Sequence, residues 1–184
     1  MSTSVQSDTS LIQPHPLKSS EETRRGILIW VATSALAAAL IFLSLYRLTD
    51  WPVTWFDEGS HLHVPKTLVQ HGVYADISSE GYRYYGPTIG VGPTVMLPIA
   101  AMFKAAGIGL WQARLVMAIY LMLALAAFYA LTRTLGCRTY ALIAVALLAS
   151  TRAVALLEYG RQVLGEVPGL FFLVAGLAIW FVSW

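Results

Sequence analysis

The sequence predicts an all-α, polytopic membrane helical bundle: about four transmembrane helices, with juxtamembrane helices in a long first outer loop. Composition, the spacing of long apolar runs, and the placement of basic residues predict it. Of 184 residues, 57% are hydrophobic and only 12% are charged, against roughly 25% charge in an average soluble domain. Mean hydropathy is +0.64. The net charge of +2 and the lack of a basic run interleaved with aromatics argue against a nucleic-acid partner. A single cysteine, Cys137, excludes an internal disulfide and a thiolate metal cluster.

Residues 1–23 are polar and rich in Ser and Thr, and read as a disordered cytoplasmic tail. Arg24-Arg25 introduce an apolar run over 26–46, long enough for the roughly 20 residues that cross hydrocarbon. Ala35-Leu36-Ala37 resembles a signal-peptidase site, but the run continues past it, so the first span is expected to remain uncleaved. Residues 47–112 form the long outer loop. Within it, Glu58 to His71 has helical composition and ends at Gly72. The run 88–106 is broken by Gly90, Gly92, Pro93 and Pro98, which fits an interfacial or re-entrant helix better than a span. Spans are then expected over 113–132, 140–157 and 166–184. Gly136 caps the tight turn after the second, and Pro168 suits the first turn of the fourth. The chain ends inside an apolar run, so it is expected to be the N-terminal part of a longer membrane module.

Lys18, Arg24 and Arg25 precede the first span, and Arg133 and Arg138 bracket the turn between the second and third. The excess of basic residues near short loops marks the cytoplasmic side. The N-terminus is therefore expected inside, as an integral multi-pass protein of a bacterial-type inner or plasma membrane. In that topology Asp57, Glu58 and Glu166 share the outer face.

Ionisable groups at a membrane edge are functional candidates. One carboxylate can act as a general base, and a second can orient it, hold a metal or bind a cation. The alternative for Asp57-Glu58 is a helix cap with Asp57 at the N-cap. The alternative for Glu166 is a first-turn acid favoured by the helix dipole. Arg161 and Arg152 supply cations suited to a phosphate. His61 lies three residues after Glu58, on one helix face, with His63 beyond it. Two histidines without a spaced third ligand leave the question of a divalent metal open. Tyr82, Tyr84, Tyr85, Trp51, Trp55 and Trp111 read as an interfacial aromatic belt, or as a surface on which sugars stack.

Three motifs carry a family resemblance. The first is Asp57-Glu58-Gly59-Ser60-His61-Leu62 followed by Leu68, Gly72 and Tyr74. The second runs from Gly92-Pro93-Thr94 through Gly107 to Gln112-Ala113-Arg114-Leu115. The third is Gly160-Arg161-Gln162-Val163-Leu164-Gly165-Glu166-Val167-Pro168. Together they resemble the C-type glycosyltransferase superfamily, in its protein O-mannosyltransferase and aminoarabinose-transferase branch. The resemblance implies an inverting transferase on the extracytoplasmic face, moving a sugar from a polyprenyl-phosphate donor to a lipid, glycan or protein acceptor. It implies Asp57 as general base with Glu58 beside it, and Glu166 supporting the acceptor or the catalytic geometry. Arg161 would meet the donor phosphate, and His61 and Tyr85 are candidate substrate contacts. Some members of the family carry a lysine before the second juxtamembrane helix; here the neighbourhood reads Gly90-Val91-Gly92. The competing expectation is a non-catalytic membrane protein of the same fold that binds membrane lipids or partner subunits. A transporter is disfavoured, because the first three spans hold almost no mid-span charge.

Overall fold

The computed structural model describes residues 20–84, 91–151 and 155–184. The expected tail over 1–19, Tyr85 and Arg152 lie outside the described residues. The first helix, α1, spans Ser20–Leu45 and so begins before the expected start at residue 26. Ser20 to Thr23 form its first turn rather than part of a disordered tail. Glu21 and Glu22 sit there, where the partial positive charge of a helix N-terminus favours acids.

From Gly26 to Leu45 the helix carries no charge, and only Leu40 and Ser44 are buried. An apolar helix that is exposed nearly all round needs an apolar solvent. Two later helices are also predominantly apolar: α4, Leu110–Leu135, which is partly buried, and α7, Glu166–Ser183, which is mostly exposed. Among the described residues, these three helices are long and apolar enough to cross a membrane. At 1.5 Å per residue, a helix of 26 residues such as α4 extends about 39 Å, more than the ~30 Å hydrocarbon core.

Over 140–157, the third expected span, the described residues give two shorter helices. Helix α5, Arg138–Ser150, has 13 residues, which is about 20 Å. Its end has a local cause. Thr151 Oγ1 and Ser150 Oγ both donate to the Leu147 carbonyl, at 2.7 and 3.1 Å, and so compete for the backbone acceptors of the last turn. The next described helix is the short α6, Leu156–Tyr159.

The long loop between α1 and α4 is ordered by secondary structure. Helix α2, Phe56–His71, ends where expected. Gly72 takes the left-handed conformation with φ 71°, and its N–H donates to the Leu68 carbonyl at 3.0 Å. Helix α3, Pro93–Ala106, has 14 residues, too few to span, in agreement with an interfacial or re-entrant segment. Between them lies a feature the sequence reading lacks: an antiparallel hairpin of β1, Ala75–Ser78, and β2, Gly81–Tyr84, pairing Ala75 with Tyr84 and Ser78 with Gly81. It is tied to α2 by Asp76, which accepts from Arg83 Nη2 and contacts His63 Nδ1 at 3.1 Å.

Helix α4 is the central post and packs against α7, α5, α3 and α1. Its first half joins Val64 of α2 and Met96, Ile99 and Phe103 of α3 in one core through Met117. Its second half joins Leu40, Val145, Leu156 and Val167 in another through Leu121 and Leu125. Gly160 lies against the second core. A Cβ there would collide with the Leu156 carbonyl and lie 3.1 Å from Leu121 Cδ1. Gly160→Ala should lower stability by about 1–3 kcal/mol. Gly169→Ala, which adds a methyl to open space within α7, should not destabilise. Thermal melts of the two variants in detergent micelles check the contrast.

Candidate functional site

The start of α2, the start of α4 and the segment from Gly160 to Glu166 meet at one end of the bundle. Each comes from a different one of the three motifs. Their junction is a buried ion pair. Arg114 Nε donates to Glu58 Oε1 at 2.8 Å, and Arg114 Nη2 donates to Glu58 Oε2 at 2.6 Å. Both side chains are fully buried. Such a two-pronged match of guanidinium to carboxylate is geometrically specific. The remaining valences are also used. Arg114 Nη1 donates to the Leu48 carbonyl at 2.9 Å, just past α1, and the Val163 N–H donates to Glu58 Oε1 at 3.1 Å.

Further ties hold the third segment against the loop before α2. His61 Nδ1 lies 2.7 Å from the Val163 carbonyl, and Gln162 Nε2 donates to the Val53 carbonyl at 3.0 Å. His61 is therefore a half-buried strut, and Nδ1 is its donor to that carbonyl, since a carbonyl oxygen can only accept.

Asp57 and Glu58 differ sharply. The N-cap of α2 is Trp55, so Asp57 is not the cap but a residue of the first turn. Asp57 is exposed, and its Oδ2 accepts from the Trp55 indole at 3.2 Å. Among the described residues its Oδ1 has no donor. Two adjacent helical positions point about 100° apart around the axis, which sends one acid inward to Arg114 and leaves the other in the open.

Glu166 is exposed in the first turn of α7, as expected for an acid at a helix N-terminus. It lines a cavity of about 420 Å³ together with Leu156, Tyr159, Gly160, Gln162 and Leu164. Gln162 is common to this cavity and to the tie with Val53.

Arg161 is buried and turns the other way. Its Nη1 donates to the carbonyls of Tyr46 at 2.7 Å and Leu43 at 3.3 Å, satisfying acceptors at the C-terminal end of α1. Its Nε has no partner. A second cavity of about 370 Å³ lies beside it, lined also by Arg47, Asp50, Trp51 and Glu158. Burial pushes the Arg161 pKa down from its ordinary value and the charge of Arg114 pushes the same way, while Glu158 opposes both.

Of the expected site residues, Glu58, His61 and Arg161 are thus joined into the framework. Asp57 and Glu166 are left exposed beside it. Arg114 is the partner that the sequence reading passes over: it stands there only within the second motif, Gln112-Ala113-Arg114-Leu115. Its signal was a charge within an otherwise apolar helix, which demands a buried counter-ion. Among the described residues no group of three His, Cys, Asp or Glu side chains gathers as a metal site. Comparisons with protein-family models, curated proteins and solved structures found no match to this chain.

Removing one member of a buried pair leaves the other charge unpaired, at a cost of about 3–5 kcal/mol. Glu58→Gln should therefore destabilise the fold by that order, whereas Asp57→Asn should shift stability by less than about 0.5 kcal/mol. Denaturation of both variants in the same detergent checks the difference.

Proposed function

We propose that the chain is the N-terminal part of a membrane glycosyltransferase that transfers a sugar from a polyprenyl-phosphate donor to an acceptor on the extracytoplasmic face. The observation that carries this reading is the division of labour between adjacent acids. Glu58 is spent on Arg114 and Val163, while Asp57 stands exposed with an oxygen that has no donor. A general base needs such an open lone pair within reach of its proton.

In the proposed reaction Asp57 takes the proton of the acceptor's nucleophile. That nucleophile forms a bond to the anomeric carbon from the face opposite the leaving group. The bond from that carbon to the phosphate oxygen breaks, and polyprenyl phosphate leaves with the electron pair. Glu166, at the cavity beside Gln162, orients the acceptor. Glu58 acts as a positioning residue. Arg161 assists the donor phosphate through its charge, since its Nη1 is committed to the end of α1.

The second reading, a non-catalytic membrane protein that binds lipid or partner subunits, draws support from the same geometry. Both Glu58 and Arg161 are occupied by structural contacts. Sugar transfer separates the two. Full-length protein in membranes, assayed with a panel of polyprenyl-phosphate sugars, should transfer one of them. Asp57→Asn should reduce transfer at least about 100-fold, the scale of general-base catalysis, with membrane insertion unchanged. Undiminished transfer by Asp57→Asn would refute the base assignment, and no transfer by the parent protein with any donor would favour the second reading.

The proposed orientation draws on the basic residues gathered at the other end of the bundle. Arg138 sits over Trp30 of α1, which places the start of α5 beside the start of α1 and its Arg24 and Arg25. Cys137 reports on this end. It is exposed in the turn between α4 and α5, and its thiol pKa is lowered chiefly by the Tyr140 N–H. More of it is thiolate at neutral pH than of an ordinary cysteine, so maleimide should label it readily. A membrane-impermeant maleimide should label inverted vesicles and not right-side-out cells. Labelling only from outside would reverse the topology.

A further inference from the structure

The geometry points to a binding site for an anionic phospholipid at the end of the bundle away from the Glu58–Arg114 pair. Between α1 and α5 lies a cavity of about 360 Å³. Arg25 stands at its polar end with Thr139, and Leu28, Ile29, Leu142 and Ile143 form its walls. A cationic mouth above apolar walls matches a phosphate headgroup above an acyl chain.

Arg138, next in sequence to the lining residue Thr139, is only partly engaged. Its guanidinium carbon is 3.9 Å from the centroid of the Trp30 ring. Its Nη2 reaches Thr33 Oγ1 at 3.5 Å, the limit of a hydrogen bond, and its buried Nε has no partner. Stacking on an indole fixes the plane of a guanidinium and leaves its edge for an anion. Arg133 stands across the turn, with Nη1 donating to the Gly136 carbonyl at 3.1 Å. Among the described residues no ion pair engages Arg25, Arg133 or Arg138. The nearest acids in sequence, Glu21 and Glu22, lie one turn before Arg25 on α1.

The Cys137 thiol gives independent support. Backbone N–H groups of Tyr140 and Thr139, with a smaller contribution from Arg133, favour its negative form against the opposing effect of burial. The turn is thus a place where negative charge is stabilised. Basic pockets between membrane helices bind anionic headgroups through these elements. A free phosphate would use the arginines but not the apolar walls, so the lipid is the ligand the whole cavity fits. The site rests on the membrane reading of α1 and α4 and is independent of the sugar-transfer reading.

Native mass spectrometry of the full chain extracted from vesicles of equal phosphatidylglycerol and phosphatidylcholine tests it. The parent protein should retain phosphatidylglycerol over phosphatidylcholine by about five-fold, the preference that a single well-placed arginine confers. Arg25→Gln, at an exposed position with no ion pair among the described residues, should lower that ratio, and Arg138→Gln should bring it close to one. Should Arg138→Gln fail to fold, Arg25→Gln still decides. An equal retention of the two lipids by the membrane-embedded parent protein, or an enrichment untouched by Arg25→Gln, would overturn the site. Saturable binding of inorganic phosphate without any lipid preference would replace the lipid by a free anion and overturn it too. Release of the protein from vesicles by carbonate would overturn the membrane reading along with it.

Discussion

The fold depends on a carboxylate and a guanidinium brought together out of water. Glu58 and Arg114 are separated by 56 positions, both fully buried, and joined by two hydrogen bonds. Isolated, either charge would cost several kcal/mol to bury. Paired, with Leu48 and Val163 taking the remaining valences, they bring the end of α1, the start of α2, the start of α4 and the approach to α7 to one place. The apolar cores around Met117 and Leu121 supply most of the driving force but are non-directional. The ion pair sets which segments meet.

That constraint explains the difference between neighbours in sequence. Helical geometry turns Asp57 outward once Glu58 is fixed inward. Ties from His61 and Gln162 hold the segment before α7 against α2 and the loop preceding it, and Glu166 follows at the edge of the 420 Å³ cavity. One dipeptide thus carries an exposed carboxylate, Asp57, and a buried, paired one, Glu58.

Much of this was legible from residue order. Long uncharged runs located α1, α4 and α7, because a helix of 18 or more apolar residues has few other uses. Gly72 signalled the end of α2, since a left-handed backbone there favours glycine. The run over 140–157 is mostly apolar and reads as a span, whereas the described residues give a helix α5 of 13 residues that ends where Ser150 and Thr151 divert backbone acceptors. The hairpin at Ala75–Tyr84 escaped because its strands are four residues each, too short for the alternation in Ala75-Asp76-Ile77-Ser78 to stand out, and β2 is wholly exposed. Arg161 is expected at the donor phosphate from the fit of its guanidinium to that group and from the family resemblance. Its use on the carbonyls of Leu43 and Tyr46, more than 100 positions away, is a tertiary fact without a local signature. The pairing of Glu58 with Arg114 is of the same kind.

A double-mutant cycle on Glu58 and Arg114 tests the central claim most directly. Unfolding free energies would be measured in one detergent for the parent protein, Glu58→Gln, Arg114→Gln and the double variant. If the pair organises the site, the losses are strongly non-additive: the double variant recovers at least about 2 kcal/mol relative to the sum of the single variants, within the range seen for contacting residues. Additive losses, with a coupling near zero, would mean that the two side chains do not depend on each other, and the account of the site built on them would fail.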